Sequence, residues 1–171
     1  NSKKFNNLIF LNYEPKLDKF LFWCQQLIAE SLGKKNKGLL PIISKAPKDH
    51  HSLLQLYLDG PKDKLFYIFS SNVKSNKKKD LGKDLKIKTF LKGKNLSIIK
   101  TAQKNALINC LIEKKIPYRK FEIKKIDEEF IGKLFSYFMI ETTIVGKMMN
   151  INPFDQPAVE KVKIYTKKIL S

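Results

Sequence analysis

Short apolar runs alternate with longer amphipathic stretches along most of this chain. Leu8-Ile-Phe-Leu11, Leu39-Leu-Pro-Ile-Ile43 and Leu65-Phe-Tyr-Ile-Phe69 are runs of nearly unbroken apolar side chains. Such runs suit strands buried on both faces, the environment of a parallel sheet. Pro41 predicts an edge strand or a strand start for the second run. Between the first two runs, Pro15 opens a helix with apolar positions Leu17, Phe20, Cys24, Leu27 and Ile28, and Gly33 stops it. Asp49 is expected to cap a helix that reaches about Leu58 and ends at Gly60-Pro61. A long helix follows from about Ser97 to Lys114, with Ile99, Ala102, Ala106, Leu107 and Cys110 as its apolar face. Leu85 to Phe90 and Pro117 to Ile123 alternate in polarity and read as half-exposed strands. Asp127 starts another helix, with Glu128 and Glu129 in its first turn and Phe130, Leu134, Phe135, Phe138 and Met139 facing the core. Ser70 to Gly82 is polar, Lys-rich and aperiodic, and reads as a loop. Asn152 is expected to N-cap a last helix opened by Pro153. Strands alternating with helices predict a single α/β domain over residues 1–171, a three-layer sandwich around a mostly parallel sheet.

Length and charge exclude several classes. A chain of 171 residues holds one domain with a real core. The formal net charge of +18 invites a nucleic-acid reading, but all 34 basic residues except Arg119 are Lys. Base readout and phosphate forks favour Arg, and these Lys are spread along the chain, so a nucleic-acid partner is not expected. No apolar run is long enough to span a bilayer, and no secretory leader is read at the start, so a cytoplasmic protein with no membrane partner is expected. Cys24 and Cys110 lie far apart and are expected to be reduced thiols. A first residue of Asn1 rather than Met suggests a piece of something longer.

Three small constellations could carry chemistry. Trp23, Gln26 and Glu30 share a face of the first helix, and a carboxylate backed by Trp23 and Leu27 is suited to act as a base near neutral pH. The ordinary alternative is a solvated Glu at a helix end. His50 and His51 are adjacent, and His51 shares a helix face with Gln55; imidazole is suited to passing a proton to or from a hydroxyl oxygen. Gln156 and Lys163 lie two helical turns apart and make a plausible wall for a polyhydroxylated anion. No phosphate-binding loop, dinucleotide fingerprint, serine-hydrolase elbow or zinc-ligand spacing is present, so neither a cofactor nor a metal is expected.

The three constellations, in this order, resemble the second half of glucose-6-phosphate isomerases. Asn152-Pro-Phe-Asp-Gln156 with Val159-Glu160 and Lys163 is similar to that family's closing signature. Glu30-Ser-x-Gly-Lys34 resembles its catalytic-glutamate motif, and His51-Ser-x-x-Gln55 the segment bearing its catalytic histidine. Tyr13-x-Pro15-x-Leu17 and Gly38-x-x-Pro41 also fit, whereas the Lys-rich middle matches poorly. The resemblance implies a flavodoxin-like C-terminal sugar-isomerase domain, part of a longer two-domain enzyme that interconverts glucose 6-phosphate and fructose 6-phosphate through an enediol. It implies that Glu30 moves the proton between C2 and C1, that His51 and Lys163 serve ring opening, and that Gln156 contacts the substrate. It also implies a homodimer in which His51 comes from the neighbouring subunit. Asn150 and Pro157-Ala158 depart from the family's usual residues. The family's phosphate-binding loop and its Gly-Gly-Arg segment, which belong to the first sugar-isomerase domain, are absent from this sequence. Little isomerase activity is therefore expected of the isolated chain. A non-catalytic phosphosugar-binding domain of the same fold is the main alternative.

Overall fold

The computed structural model of the protein describes residues 5–71, 89–91 and 94–171. Among the described residues the sheet has four parallel strands: β1 (Asn7–Asn12), β2 (Leu40–Lys45), β3 (Lys64–Ser71) and β4 (Tyr118–Ile123), in the order β2-β1-β3-β4. Five α-helices connect or follow them: α1 (Asp18–Leu32), α2 (Leu54–Asp59), α3 (Leu96–Glu113), α4 (Glu128–Met148) and α5 (Pro157–Leu170).

Alternate residues of the central strands feed two separate cores. Leu8 and Phe10 of β1 and Tyr67 and Phe69 of β3 pack against α1 and α4. Ile9 and Leu11 of β1 and Phe66 and Ile68 of β3 pack against α2 and α3. Helices thus cover both faces, as the unbroken apolar runs require. The strand order is that of a flavodoxin-like sheet, and the α/β sandwich expected from the sequence is what forms.

The topology also fixes which residues share an edge. All four strands point the same way, so α1 starts at the carboxyl edge of the sheet and runs back to the amino edge. Its C-terminus, with Glu30, lies at the amino edge. The turn after β2, with His50 and His51, lies at the carboxyl edge.

Several local expectations need correction. Pro15 opens a 3-10 turn, Pro15–Leu17, before α1 begins. Asp49 does not cap α2, which starts at Leu54; its carboxylate turns back to β2, accepting from Ser44 Oγ at 3.0 Å and from the Lys45 N–H at 2.7 Å. On α3 the buried side chains are Lys104, Leu107 and Leu111, while Ala102 and Ala106 are exposed. Met139 of α4 is exposed as well. Thr89 and Phe90, placed in a strand by their alternation, sit in a 3-10 turn; the rest of that strand, and the Lys-rich loop beyond Ser71, lie outside the described residues.

Candidate functional site

Glu30 sits in the last turn of α1, three residues before Gly33. A Cβ at position 33 would come within 2.6 Å of the Ala29 carbonyl oxygen, so only glycine lets the chain leave the helix there. The Glu30 carboxylate accepts from the Gln26 amide at 3.1 Å and from the Gln156 amide at 2.9 Å. Gln156 is 126 residues away in sequence, so tertiary structure must deliver it.

The delivery begins at the end of α4. Met149 caps that helix, Asn150 follows with φ 54, and the N–H groups of Asn150 and Ile151 return to the carbonyls of Lys147 and Gly146. This is a Schellman motif with Asn in the left-handed position, which only Gly or Asn adopts readily. The departure at Asn150 is therefore compatible with the turn. Gly146 then leaves room for Pro153, whose Cβ would lie 3.1 Å from any Cβ added at that glycine. Asn152 does not cap a helix. Its side-chain oxygen accepts from the Phe154 N–H in a local turn, and α5 opens at Pro157 with Gln156 as its N-cap. The Gln156 side chain makes no capping bond and reaches across to Glu30 instead.

Two lysines clamp this turn to the end of α1. Lys34 donates to the Asn152 carbonyl at 2.6 Å and pairs with Asp155 at 3.0 Å; Lys37 donates to the Met149 carbonyl at 2.5 Å. The Lys34 side chain is only 9% exposed, and its ammonium holds the Asp155 carboxyl below the usual carboxylate range. Glu30, Lys34, Asn152, Asp155 and Gln156 line a cleft of roughly 710 Å³, a size that accepts a small metabolite. Trp23 does not back the Glu30 carboxylate as expected. Its ring packs edge-on against Phe135 at 4.4 Å and lies beside Phe20.

The other two expected residues lie apart from the cleft. Lys163 sits two turns along α5, where it pairs with Glu160 at 2.6 Å. All of α5 is exposed, Val159, Val162, Tyr165, Ile169 and Leu170 included. His51 is exposed at the end of the Lys48–His50 3-10 turn on the opposite edge of the sheet. The 15 residues of α1 separate the two edges by about 20 Å. Gln55, expected to share a face with His51, donates to Asp59.

The cleft can do specific things. A carboxylate oriented by two amide donors presents its remaining lone pairs to whatever enters, and Lys34 and Asp155 fix the wall opposite. Spacing placed Gln26 on the Glu30 face, as the structure has it, whereas composition and spacing alone did not reveal Lys34 or Lys37 as parts of this assembly. Lys34 falls inside the Glu30-Ser-x-Gly-Lys34 motif, the one signal that could have marked it.

No protein-family model matches the chain. Among curated relatives, a probable glucose-6-phosphate isomerase of Methanococcus maripaludis is 39% identical over 161 residues, covering 94% of this chain and 35% of that protein. A glucose-6-phosphate isomerase of Campylobacter jejuni is 36% identical over 176 residues, covering 99% of this chain and 43% of the relative. Among solved structures, a hypothetical protein of Thermus thermophilus superimposes with a TM-score of 0.85 at 28% identity, covering 96% of this chain and 41% of that one. A glucose-6-phosphate isomerase of Chlamydia trachomatis shares the fold, with a TM-score of 0.73 at 16% identity over 97% of this chain and 35% of its own. The chain belongs with the glucose-6-phosphate isomerase family, and it spans 35 to 43% of the length of these curated relatives.

Proposed function

We propose that this chain is the part of a glucose-6-phosphate isomerase that supplies the base for the aldose–ketose shift. The observation that carries this reading is the Glu30 carboxylate held by the Gln156 amide at 2.9 Å inside a cleft. Glu30 takes the proton from C2 of the open-chain sugar and returns it to C1, while the enediol electrons shift between the two carbons. Gln156 orients that carboxylate and meets the substrate hydroxyls. Lys163, about 10 Å along α5 from Gln156, serves ring opening together with a histidine. A mobile proton and an oriented carboxylate suffice for this isomerisation.

His51 cannot serve Glu30 of its own chain from the other edge of the sheet. That separation supports a homodimer in which each cleft receives His51 from the partner. The phosphate-binding groups come from a further sugar-isomerase domain, in keeping with relatives more than twice the length of this chain. Binding energy from the phosphate positions the reacting carbons, so the isolated chain turns over little substrate. The same reading places the protein in the cytoplasm, and no helix among the described residues is long and apolar enough to cross a membrane.

The test is Glu30→Gln in the full-length protein. Exchange of the C2 proton with solvent is expected to be lost while fructose 6-phosphate still binds. Retained exchange removes Glu30 as the base. Binding that survives the substitution in a protein that never turned over, even when full length, identifies a phosphosugar-binding domain instead.

A further inference from the structure

We propose that Tyr13 and His50 form a positioning pair that fixes the neighbouring His51 in the orientation needed for its proton transfer. The proposal rests on the isomerase reading above and assigns the two adjacent imidazoles different work.

Tyr13 leaves the end of β1 and is 1% exposed; its N–H bonds the Phe69 carbonyl at 2.9 Å, which ties it to the centre of the sheet. Its hydroxyl lies 2.6 Å from His50 Nε2, and the two rings meet edge-on with centroids 5.7 Å apart. Burial pushes the tyrosine hydroxyl above its ordinary range, so it stays protonated. Burial and the adjacent His51 push the His50 imidazole down, against a smaller opposing effect of Asp49. A neutral His50 accepting the tyrosine proton at Nε2 carries its own hydrogen on Nδ1.

The turn is held at a second point. Asp49 accepts from Ser44 Oγ, from the Lys45 N–H and, at 3.4 Å, from Ser52 Oγ. His50 belongs to a 3-10 turn, in which successive side chains point about 120° apart. An inward His50 bound to Tyr13 therefore forces an outward His51, and His51 is the exposed one. His50 has given its Nε2 to the sheet and is not available as a shuttle. His51 has both ring nitrogens free of bonds among the described residues.

The test compares Tyr13→Phe, His50→Gln and His50→Leu in the full-length protein. Tyr13→Phe and His50→Leu are expected to lower kcat about tenfold with the KM for fructose 6-phosphate nearly unchanged, because a small misplacement of a reacting group costs rate rather than binding; the thermal midpoint should hold in Tyr13→Phe and fall in His50→Leu, which strands the buried Tyr13 hydroxyl. His50→Gln, whose amide can still meet the Tyr13 hydroxyl, is expected to keep most of the wild-type kcat. Unchanged kcat in Tyr13→Phe, or equal loss in His50→Gln and His50→Leu, would overturn the pair. Imidazole nitrogen spectra provide a readout independent of turnover. His50 should stay neutral, with its hydrogen on Nδ1, to a lower pH in the wild type than in Tyr13→Phe. A wild-type protein without turnover overturns the isomerase reading. In that case a His50 that titrates alike in both proteins overturns the pair as well, whereas a His50 that differs between them upholds the brace as a feature of the fold.

Discussion

The two edges of the sheet present their functional side chains by opposite means. At the carboxyl edge, the turn bearing His51 is built mostly from near neighbours: Asp49 gathers Ser44, Lys45 and Ser52, and its longer ties, from Tyr13 to His50, from the Ala46 N–H to the Asn12 carbonyl and from Lys45 to Asp18, span fewer than forty residues. At the amino edge, almost every contact around Glu30 spans more than a hundred residues, from Lys34 to Asn152 and Asp155, from Lys37 to Met149 and from Gln156 to Glu30. The first arrangement forms with the local turn. The second exists only when α1 and α4 are packed side by side. Chemistry placed at the amino edge is therefore tied to the integrity of one core, and chemistry at the carboxyl edge is tied to one loop.

Three substitutions would break or sharpen that contrast. The largest effect is expected from Phe138→Ala. Phe138, on α4, is fully buried between α1 and the sheet, against Phe10, Phe20, Tyr67, Phe69 and Phe121. Removing its ring should cost about 3–5 kcal/mol, read as a lower denaturant midpoint, and hydrogen exchange should rise first at the ends of α1 and α4. Faster exchange first in the 48–53 turn would contradict the division between edges. Asp49→Ala acts on the other side. It leaves the buried Ser44 hydroxyl without its acceptor and should cost roughly 1–2 kcal/mol, while the Lys34 and Gln156 contacts persist. A chemical-shift map confined to residues near His51 is the expected result, and shifts spreading to Glu30 would show the edges to be coupled. The smallest effect belongs to Asn150→Ala, which puts a Cβ-bearing residue without a helpful amide at φ 54 and should cost about 1 kcal/mol in thermal unfolding. No loss there would mean that the Schellman turn is not what sets the position of Gln156.

The strands and most helix positions were legible because burial on both faces writes itself as unbroken apolar runs, and because Asp127 and Gly33 carry their capping chemistry locally. The face of α3 was not. Lys104 lies inside the protein, its ammonium 3.2 Å from the Ser70 hydroxyl, and no periodicity rule places a lysine on a core face. The start of α5 was misplaced for a different reason. Asn152-Pro153 and Gln156-Pro157 both have the form of a cap followed by proline, and the choice between them is made by Lys34, which pins Asn152 and Asp155 from the far end of the chain. Glu30, His51, Gln156 and Lys163 stood out only as motifs taken together. Of these, the fold joins Glu30 to Gln156 and leaves His51 and Lys163 elsewhere.

A polypeptide that carries its carboxylate on one rim of a sheet and its imidazole on the other cannot close, by itself, a centre that needs both. If the two must meet, each centre is made by two molecules, and each copy gives a different part to each of the two centres it helps to build. A copy lacking only Glu30 and a copy lacking only His51 would then still make one intact centre between them. Tolerance to mutation in such a protein is a property of the pair.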